Sequence, residues 1–457
     1  MPLRLPDRRA EIDDALQDLR EVSSPYAKEC FVTRPSVESP LLLRRLESAC
    51  TDVFTGLDAV LREVCGGDIA RLGALCRATP EEVALLDYQP HQDWATIARP
   101  DIITSGGRTL VVEVNSDSPA GLFGLHDVLA RAQARLRGGD GGPLGAPSPA
   151  MPALLKGVSG EVRRDDGLFA ICYWAHERDE GPLSWQYDLF VAELARLGVE
   201  AVYCAVEDLE FGTDAVSYRG RPVGLVYRCF ESPEQENTRE QEKLRVLFEA
   251  ARAGTVGLFT GYRGETLASK AVLSVLTDEE VVSGIDAALA ARVRRSVPWT
   301  RVVEPRGTYR DGRQVDLLPH ILARREELVL KPVRGHGGRG VVIGREVGDD
   351  AWGALVEHAV HDGQAGSWWV AQELFVPDAV TVTHTDRALG EVTAETVSVD
   401  GCFIVDGRAV GVLRRYAING DTTLNINPRS GYAASPVWWT AGDTAAQPGG
   451  TVVARNR

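Results

Sequence analysis

The sequence predicts a mixed α/β (α+β) fold, and three observations support this prediction. Two pairs of apolar strands are joined by glycine turns, at residues 100–115 and 328–344. Residues 168–205 have the pattern of a strand, a helix and a second strand, which is typical of a βαβ layer. Between residues 7 and 88, apolar residues recur at helical spacing, which predicts amphipathic helices.

Length, charge and cysteine content exclude several classes of protein. A chain of 457 residues is expected to form two or three folded regions. The net charge of −15 argues against binding to nucleic acid or to an anionic membrane. The eight cysteines lack CxxC spacing, so we expect reduced thiols and neither a zinc site nor a disulfide framework. Because no apolar signal segment or membrane-spanning stretch is found, the sequence predicts a cytoplasmic protein.

Changes in composition predict the domain organisation. The expected regions are an N-terminal helical region without assigned chemistry (1–98), a strand hairpin with a linker (99–150), an α/β substrate-binding domain (151–260), a nucleotide-binding region (261–440) and a disordered tail (441–457). The linker is the Gly/Pro-rich segment 136–152. Turns are expected at Ser105–Gly107, Tyr218–Arg221, Asp400–Gly401 and Asp406–Gly407.

The segment 328–344 carries the main candidate for a phosphate site. Lys331 ends an apolar strand, where a lysine is costly to bury unless an anion pairs with it. The loop that follows lets backbone N–H groups approach an anion and adds positive charge; it contains Arg334, Gly335, His336, Gly337, Gly338, Arg339 and Gly340. The loop lacks the order of a P-loop, so the alternative is a plain glycine-rich hairpin.

A second candidate site lies at the end of the strand near residue 113. Glu113 and Asn115 lie on one face of that strand by period-two alternation, which suits a Mg²⁺ ion that bridges phosphates. The alternative is a simple strand end. His358 and His361 have the spacing of half a metal site without other ligands, so we interpret them as a solvated helix face.

Further residues are assigned by their chemical type and place in the chain. Lys270 is expected on a helix. The apolar strand that contains Gln372, Glu373 and Leu374 is of the kind that presents a backbone edge to adenine. A planar guanidinium suits a substrate carboxylate, and the arginines proposed for this role are Arg99, Arg228, Arg414 and Arg415, with one of the last two facing the site. Surface ion pairs are the alternative for each arginine.

Taken in order, these segments resemble the ATP-grasp ligases, in particular the circularly permuted branch typified by eukaryotic-type glutathione synthetase. The matching segments are Arg99-Pro100-Asp101, Glu113-Val114-Asn115 with the loop 116–121, LVYRCF around Arg228, Lys270, Lys331 with its glycine loop, and Val410 to Arg415 with residues 431–434. The likeness runs from about Arg99 to Pro436.

The resemblance implies a permuted ATP-grasp fold and the cofactors ATP and Mg²⁺. It also implies a cytoplasmic ligase that forms an amide between two amino acids through an acylphosphate, with a peptide or γ-glutamyl product that is compatible with specialised metabolism. In this interpretation Lys270, Lys331 and the glycine loop hold phosphates, Glu113 and Asn115 hold the metal, and the four arginines hold the acyl group. Small amino acids are the expected partners, and a homodimer is left open.

The sequence departs from the family at two places. A metal-binding glutamate precedes the family's glycine triplet, whereas Gly335 stands there in this chain, and the asparagines of segment 425–427 are interpreted as a turn rather than as the missing ligand. The stretch Ser184–Gln186 matches the family's dipeptide-binding residues poorly, which favours a free amino acid as substrate. Two other functions are kept as alternatives, a phosphotransferase and a non-catalytic nucleotide-binding protein.

Overall fold

The computed structural model describes residues 3–4, 9–21, 30–80, 82–83, 97–116, 121–137, 144–145, 147, 149–176, 184–230, 238–259, 263–335, 338–386, 390–418 and 432–440. Four sequence predictions fall wholly or mostly outside these ranges. They are the loop at 116–121, of which residues 117–120 are not described, the phosphate roles of His336 and Gly337, the turn at 425–427 and the tail 441–457.

Short strands alternate with helices along the whole described chain. The strands of the first half are β1 Leu3–Arg4, β2 Val32–Arg34, β3 Val37–Glu38, β4 Ile97–Ser105, β5 Arg108–Ser116, β6 Leu144–Gly145, β7 Leu168–Tyr173, β8 Ala201–Ala205, β9 Leu209–Phe211, β10 Val216–Tyr218, β11 Arg221–Arg228 and β12 Gly257–Leu258. Those of the second half are β13 Thr300–Val302, β14 Gly307–Arg310, β15 Arg313–Asp316, β16 Leu328–Pro332, β17 Val342–Ile343, β18 Trp369–Glu373, β19 Ala379–Asp386, β20 Gly390–Val405, β21 Arg408–Ala417, β22 Tyr432–Pro436 and β23 Trp438–Thr440.

The α-helices lie between these strands. They are α1 Arg9–Ala15, α2 Gln17–Glu21, α3 Pro40–Ala59, α4 Ile69–Leu75, α5 Gly121–Leu136, α6 Ala150–Val158, α7 Ser184–Arg196, α8 Thr238–Ala253, α9 Arg263–Ala268, α10 Ala271–Thr277, α11 Glu279–Val282, α12 Ala287–Ser296, α13 Leu317–Ala323 and α14 Asp349–Gln364. A π-helical turn, Val60–Val64, extends α3. Helix α3 begins where the Ser39 hydroxyl accepts the amide of Leu41 and Pro40 occupies the first helical position.

The largest sheet, which we call the large sheet, joins strands from both ends of the chain. Its path is β2-β19-β20-β21-β22, with β1 and β4 also paired to β20, and β5 paired to β4. The long strand β20 makes this possible. Its first half pairs with β1 and β19, and its second half pairs with β4 and β21. Residues from the beginning, the first quarter and the end of the chain therefore share one surface.

The predicted hairpin at residues 105–107 is confirmed. Strands β4 and β5 pair antiparallel across Gly106 and Gly107, whose φ angles of 54° and 77° favour glycine. The register places Arg99 opposite Asn115. It also places Asp101 opposite Glu113, so the motif residues of the two strands become neighbours.

Of the two turns predicted around residues 400–407, one is wrong. Asp400 and Gly401 lie inside β20, which continues to Val405. The chain turns instead at Asp406 and Gly407, with φ angles of 47° and 73°. Glycine occurs at 401 for a different reason. A Cβ there would lie 2.9 Å from the Cδ atom of Arg99, so this position makes room for a side chain.

The predicted βαβ layer is confirmed as a second sheet. Strands β7 and β8 are parallel, as are β7 and β11, and β12 adds a further parallel strand. The hairpin predicted at residues 218–221 is also present, with Arg219 and Gly220 at φ angles of 50° and 73°. Helix α8 covers one face of this sheet through a cluster that includes Leu244 and Phe248.

The third part is a four-stranded sheet, in the order β13-β18-β16-β17. As predicted for residues 328–344, β16 and β17 pair antiparallel on either side of the glycine loop. Helices α13 and α14 cover one face of this sheet, with Ile321 and Trp352 in the shared core.

The N-terminal part and the linker differ in detail from the sequence prediction. The part predicted to be helical also contains β1, β2 and β3, which complete sheets whose other strands come from later in the chain. Helix α6 begins inside the predicted linker, at Ala150, and the short strand β6 also lies within it. The first amides of α6, those of Ala150 and Met151, donate to the Asp127 carboxylate at 2.7 and 3.0 Å. Through Asp127 this helix is attached to α5, and it packs on the large sheet.

The cysteines lie mostly in the core. No disulfide joins any of the eight, all of which lie within the described ranges, and seven of them are buried. Within the described ranges, no helix has both the length and the apolar character needed to cross a membrane.

Candidate active site

One face of the large sheet gathers most of the charged residues singled out in the sequence. Because side chains alternate along a strand, Arg99 and Asp101 share one face of β4, and Glu113 and Asn115 lie opposite them on β5. The opposite face of the same strands is apolar and packs against α3 and α12. The sheet therefore separates a hydrophobic core from a charged surface.

Asp101 lies at the centre of this surface and binds two arginines. Its Oδ1 atom accepts the Nε–H of Arg99 at 3.2 Å, and its Oδ2 atom lies 2.6 Å from a terminal nitrogen of Arg415. Burial alone would raise the pKa of Asp101, but the charges of Arg415 and Arg99 outweigh it and lower that pKa. Asp101 is therefore a carboxylate that neutralises part of the charge of two neighbouring cations.

Arg414 and Arg415 lie on opposite faces of β21. Arg415 joins Asp101 on the charged face. Arg414 donates from two nitrogens to Asp400, at 2.7 and 3.0 Å, and also contacts Glu38. Of this pair, Arg415 is thus the one that lies with the residues of β4.

Lys270 connects the large sheet to the glycine loop. The sequence predicts it within a helix, but it lies at the turn between α9 and α10. Its ammonium group is 3.1 Å from a carboxylate oxygen of Glu113 and donates to the carbonyl of Gly335 at 2.8 Å. Its backbone amide also donates to the carbonyl of Val333 at 3.0 Å. Lys270 is buried, so both of its partners help to compensate a desolvated charge.

Lys331 lies close to Lys270 and Glu113 and is partly buried at the end of β16. Its ammonium group donates to the Oε1 atom of Gln372 at 2.7 Å and approaches the carbonyl of Val112 at 3.5 Å. Burial lowers its pKa to about 8, and the charge of Glu113 only partly opposes this. Lys270 and Lys331 together therefore form a cationic pair beside one glutamate.

The low pKa of Lys331 predicts a pH dependence of stability. The unfolded chain keeps this proton up to the ordinary value of 10.5, whereas the folded protein releases it near pH 8. The buried charge of Lys331 therefore destabilises the folded protein fully below pH 8, and this effect disappears as the pH rises towards 10.5. Below pH 8, Lys331→Met should be more stable than the wild type in urea unfolding, because it lacks the buried charge. This difference in the free energy of unfolding should shrink by about 1–2 kcal/mol as the pH rises from 8 to 10.5. An advantage that is independent of pH would contradict the predicted titration.

Arg228 lies in the second sheet, at the end of β11. It is 1% exposed, and a terminal nitrogen donates to the carbonyl of Phe230 at 2.8 Å. This contact holds the guanidinium at the carboxyl end of a parallel strand, where α/β sheets commonly bind ligands. Its role towards a substrate remains a prediction from the sequence.

Two residues of the glycine loop, Arg334 and Gly335, contact side chains from other parts of the chain. Arg334 contacts the carboxylate of Glu82 at 2.7 Å, and the Gly335 carbonyl accepts from Lys270. Gly335, Gly338 and Gly340 have φ angles of 131°, 72° and 69°, which side chains rarely adopt. Arg339 is exposed. The loop conformation therefore depends on glycine, as the sequence indicates.

The strand predicted to offer an adenine edge is paired on both sides. Residues 369–373 pair with β13 and with β16, so these positions are internal to the sheet. The amide of Leu374 donates to the carbonyl of Glu327 at 2.8 Å, and the Glu373 carboxylate receives two bonds from Arg310, at 2.7 and 3.2 Å. Gln372 reaches the candidate site through its side chain, which contacts Lys331.

Comparison with known proteins bears on the fold. No family model matches the chain, and no curated protein matches it. Among solved structures, a glutathione synthetase-like effector from Globodera pallida in its apo form superposes with a TM-score of 0.54. The match covers 95% of this chain and 98% of the effector, at 11% identity. The chain has the fold of this glutathione synthetase-like effector.

Two further solved structures match less closely. The match with a protein described as a γ-glutamylcysteine synthetase from Methylobacillus flagellatus covers 88% of this chain and 89% of that protein, at 12% identity and a TM-score of 0.42. The match with a D-cycloserine synthetase covers 59% of this chain and 74% of the synthetase, at 16% identity and a TM-score of 0.32. The effector alone bears on the fold: its superposition confirms the fold that the sequence resemblance implies, and the circular permutation stays a prediction.

The resemblance of the sequence to ATP-grasp ligases raises the question of whether the site suits Mg²⁺. Glu113 and Asn115 place one carboxylate and one amide on the same face of β5, and the amide also donates to the carbonyl of Arg99 at 3.3 Å. In the part of the chain that the structure describes, no three His, Cys, Asp or Glu side chains form a metal cluster. Mg²⁺ commonly uses one or two protein ligands together with phosphates, so this pair suits a nucleotide-bound ion.

Two residues of this charged face have no role assigned from the sequence. Asp101 was part of a recognised Arg-x-Asp segment, and period-two alternation would have placed it on the face of Arg99. Gly401 gave no usable signal, because an Asp-Gly pair between apolar residues predicts a turn. Its role depends on the packing of a side chain from a strand about 300 residues earlier in the chain.

Proposed function

We propose that the protein is an ATP-dependent carboxylate–amine ligase that joins two amino acids. The observation that carries the proposal is the charge of the site. Four cationic side chains face two carboxylates; the cations are Arg99, Lys270, Lys331 and Arg415, and the carboxylates are Asp101 and Glu113. The site therefore has an excess of two positive charges, which suits phosphate and carboxylate groups.

The two lysines are suited to the nucleotide phosphates. Both lie beside the glycine loop, and the ammonium group of Lys331 is partly desolvated, which strengthens its attraction to an anion. Glu113 and Asn115 would hold Mg²⁺, which would offset charge on the phosphates. Since Lys270 contacts Glu113 in the free protein, binding of ATP would let this lysine exchange a carboxylate for a phosphate oxygen.

The arginines are suited to the group that reacts. Transfer of the γ-phosphoryl to a carboxylate oxygen gives an acylphosphate and ADP. Attack of an amine on the acyl carbon then forms the amide, releases phosphate and frees one proton. Arg99 and Arg415 would hold the carboxylate and then the oxyanion of the tetrahedral intermediate. Glutamate is the favoured donor, because an arginine that binds its α-carboxylate leaves the side-chain carboxylate free to react.

Product analysis separates this proposal from its alternatives. The protein is incubated with ATP and pairs of amino acids, and ADP, phosphate and any coupled product are measured. ADP and phosphate that appear only with an amine support the ligase. A stable phosphorylated product would identify a phosphotransferase. Absence of turnover would favour a nucleotide-binding protein, which Gly335 in place of the family's acidic residue makes a specific alternative.

Replacing Glu113 tests the metal role. We expect Glu113→Gln to lower kcat by about 100-fold and to change the Kd for ATP by less than about threefold, because the metal acts most strongly as charge shifts during phosphoryl transfer. The same change frees Lys270 from its ion pair, so ATP binding without Mg²⁺ should not weaken. Turnover and calorimetry measure the two effects, with Glu395→Gln as an exposed control. Full activity of Glu113→Gln at low Mg²⁺ would exclude this role.

A further inference from the structure

Arg99 and Arg415 contact the same carboxylate from two strands that are separated by a third. Arg99 is on β4, Arg415 is on β21, and β20 runs between these two strands. The two guanidinium groups do not come from paired positions, but they share a common partner. Asp101 is that partner, because each of its two carboxylate oxygens contacts one of the arginines.

Asp101 has the burial and charge needed for such a role. It is 7% exposed, and Arg99 and Arg415 are 9% and 7% exposed. Two buried guanidinium groups repel each other, and one shared carboxylate offsets part of that repulsion. A guanidinium has five N–H groups, so a contact with one oxygen of Asp101 uses only a fraction of its donor capacity.

Gly401 supplies the space for this arrangement. It lies directly opposite Asp101 in the register of β4 and β20. A Cβ at this position would lie 2.9 Å from Cδ of Arg99, 3.3 Å from its Cγ and 3.3 Å from its Nε. The aliphatic part of Arg99 thus lies across β20 where a side chain is absent. Any larger residue at 401 would displace Arg99 without removing a charge.

We propose that Asp101 is a positioning residue, and that Gly401 gives the room, for a twin-arginine site that binds the carboxylate of the amino-acid substrate. This proposal rests on the proposed function, since it assigns the substrate class of the same site. Lys270 and Lys331 contact the glycine loop and Gln372 instead, so the twin-arginine site should affect the amino acid and leave ATP unaffected.

Two substitutions test the proposal in different ways. Gly401→Ala displaces Arg99 and keeps every charge, whereas Asp101→Asn keeps the shape of the side chain and removes the shared charge. Each should raise KM for the amino acid by about tenfold and change KM for ATP by less than about twofold. The controls are Gly353→Ala, where an added methyl meets nothing within 4 Å, and Asp166→Asn at an exposed position.

A double substitution identifies the residue through which Gly401 acts. If the methyl group acts only by displacing Arg99, then Gly401→Ala should have no further effect in the Arg99→Ala background. A further tenfold rise in KM for the amino acid in the double variant would overturn the proposal. So would a rise in KM for ATP as large as the rise in KM for the amino acid. Loss of folding is monitored by thermal unfolding, and if Gly401→Ala does not fold, Asp101→Asn decides alone. Unchanged amino-acid KM in Asp101→Asn would then refute the positioning role.

Direct binding separates this proposal from the function on which it rests. Calorimetry with glutamate as the probe, in the absence of ATP, measures the twin-arginine site without any reaction. Glutamate binding that weakens about tenfold in Asp101→Asn, in a protein that forms no amide, would refute the ligase and retain the positioning role. Amide formation with unchanged kinetics in both variants would retain the ligase and refute the positioning role.

Discussion

Replacing Lys331 by alanine is expected to weaken ATP binding by about 10- to 100-fold, which corresponds to about 1.5–3 kcal/mol for a lost charge-assisted phosphate contact. The fold should be retained, because Lys331 lies at the end of β16 and its removal also relieves the cost of a partly buried charge. Isothermal calorimetry with ATP and Mg²⁺ measures the effect. Lys156→Ala, on the exposed surface of α6, is the matched control.

The pKa of Lys331 makes a second measurement possible on the same pair of proteins. Since the free protein loses this charge near pH 8, ATP affinity of the wild type should fall as the pH is raised from about 7 to about 9. The affinity of Lys331→Ala should change less over that interval. Equal ATP affinity in the wild type and Lys331→Ala at neutral pH would remove the glycine loop from the nucleotide site.

Replacing Arg99 by alanine is expected to raise KM for the amino-acid substrate by about 10- to 100-fold, or about 1.5–3 kcal/mol. KM for ATP should change little, because the contacts of Arg99 are with Asp101 and the large sheet rather than with the glycine loop. Steady-state kinetics with each substrate varied in turn measures both values. Arg62→Ala, whose side chain is 65% exposed, is the control.

The product of the same reaction tests the linkage. Mass spectrometry with fragmentation distinguishes a γ-glutamyl amide from an α-linked peptide, and the first is expected when the α-carboxylate is held by an arginine. An α-linked product would exclude glutamate bound in this orientation. A change confined to the ATP parameters of Arg99→Ala would instead place this arginine in the nucleotide site.

Local features of the fold could be predicted where one residue type decides the backbone. The turn at residues 105–107 requires positive φ angles, and two glycines in sequence provide them. The same reasoning failed at Asp400–Gly401, because there glycine serves a side chain from another strand. Sequence composition cannot distinguish these two uses of glycine. The distinction appears only when the register between β4 and β20 is known.

The candidate site was predictable as a set of residues and not as a set of contacts. The order of motifs along the chain indicated Lys270, Lys331 and Glu113 together. The ion pair between Lys270 and Glu113, however, depends on how α9, which ends just before Lys270, packs against β5. Likewise, two consecutive arginines must lie on opposite faces of a strand, but only the neighbouring carboxylates decide that Arg415 joins Asp101.

The long strand β20 also affects the order of events during synthesis. Strands β4 and β5 leave the ribosome early, but their partner in the large sheet, β20, follows almost 300 residues later. Until then one edge of the hairpin remains unpaired, which is a condition that favours aggregation. Pairings this distant in sequence also slow folding. Production of the protein should therefore depend on slow expression or on chaperones that protect the early hairpin until β20 and β21 arrive.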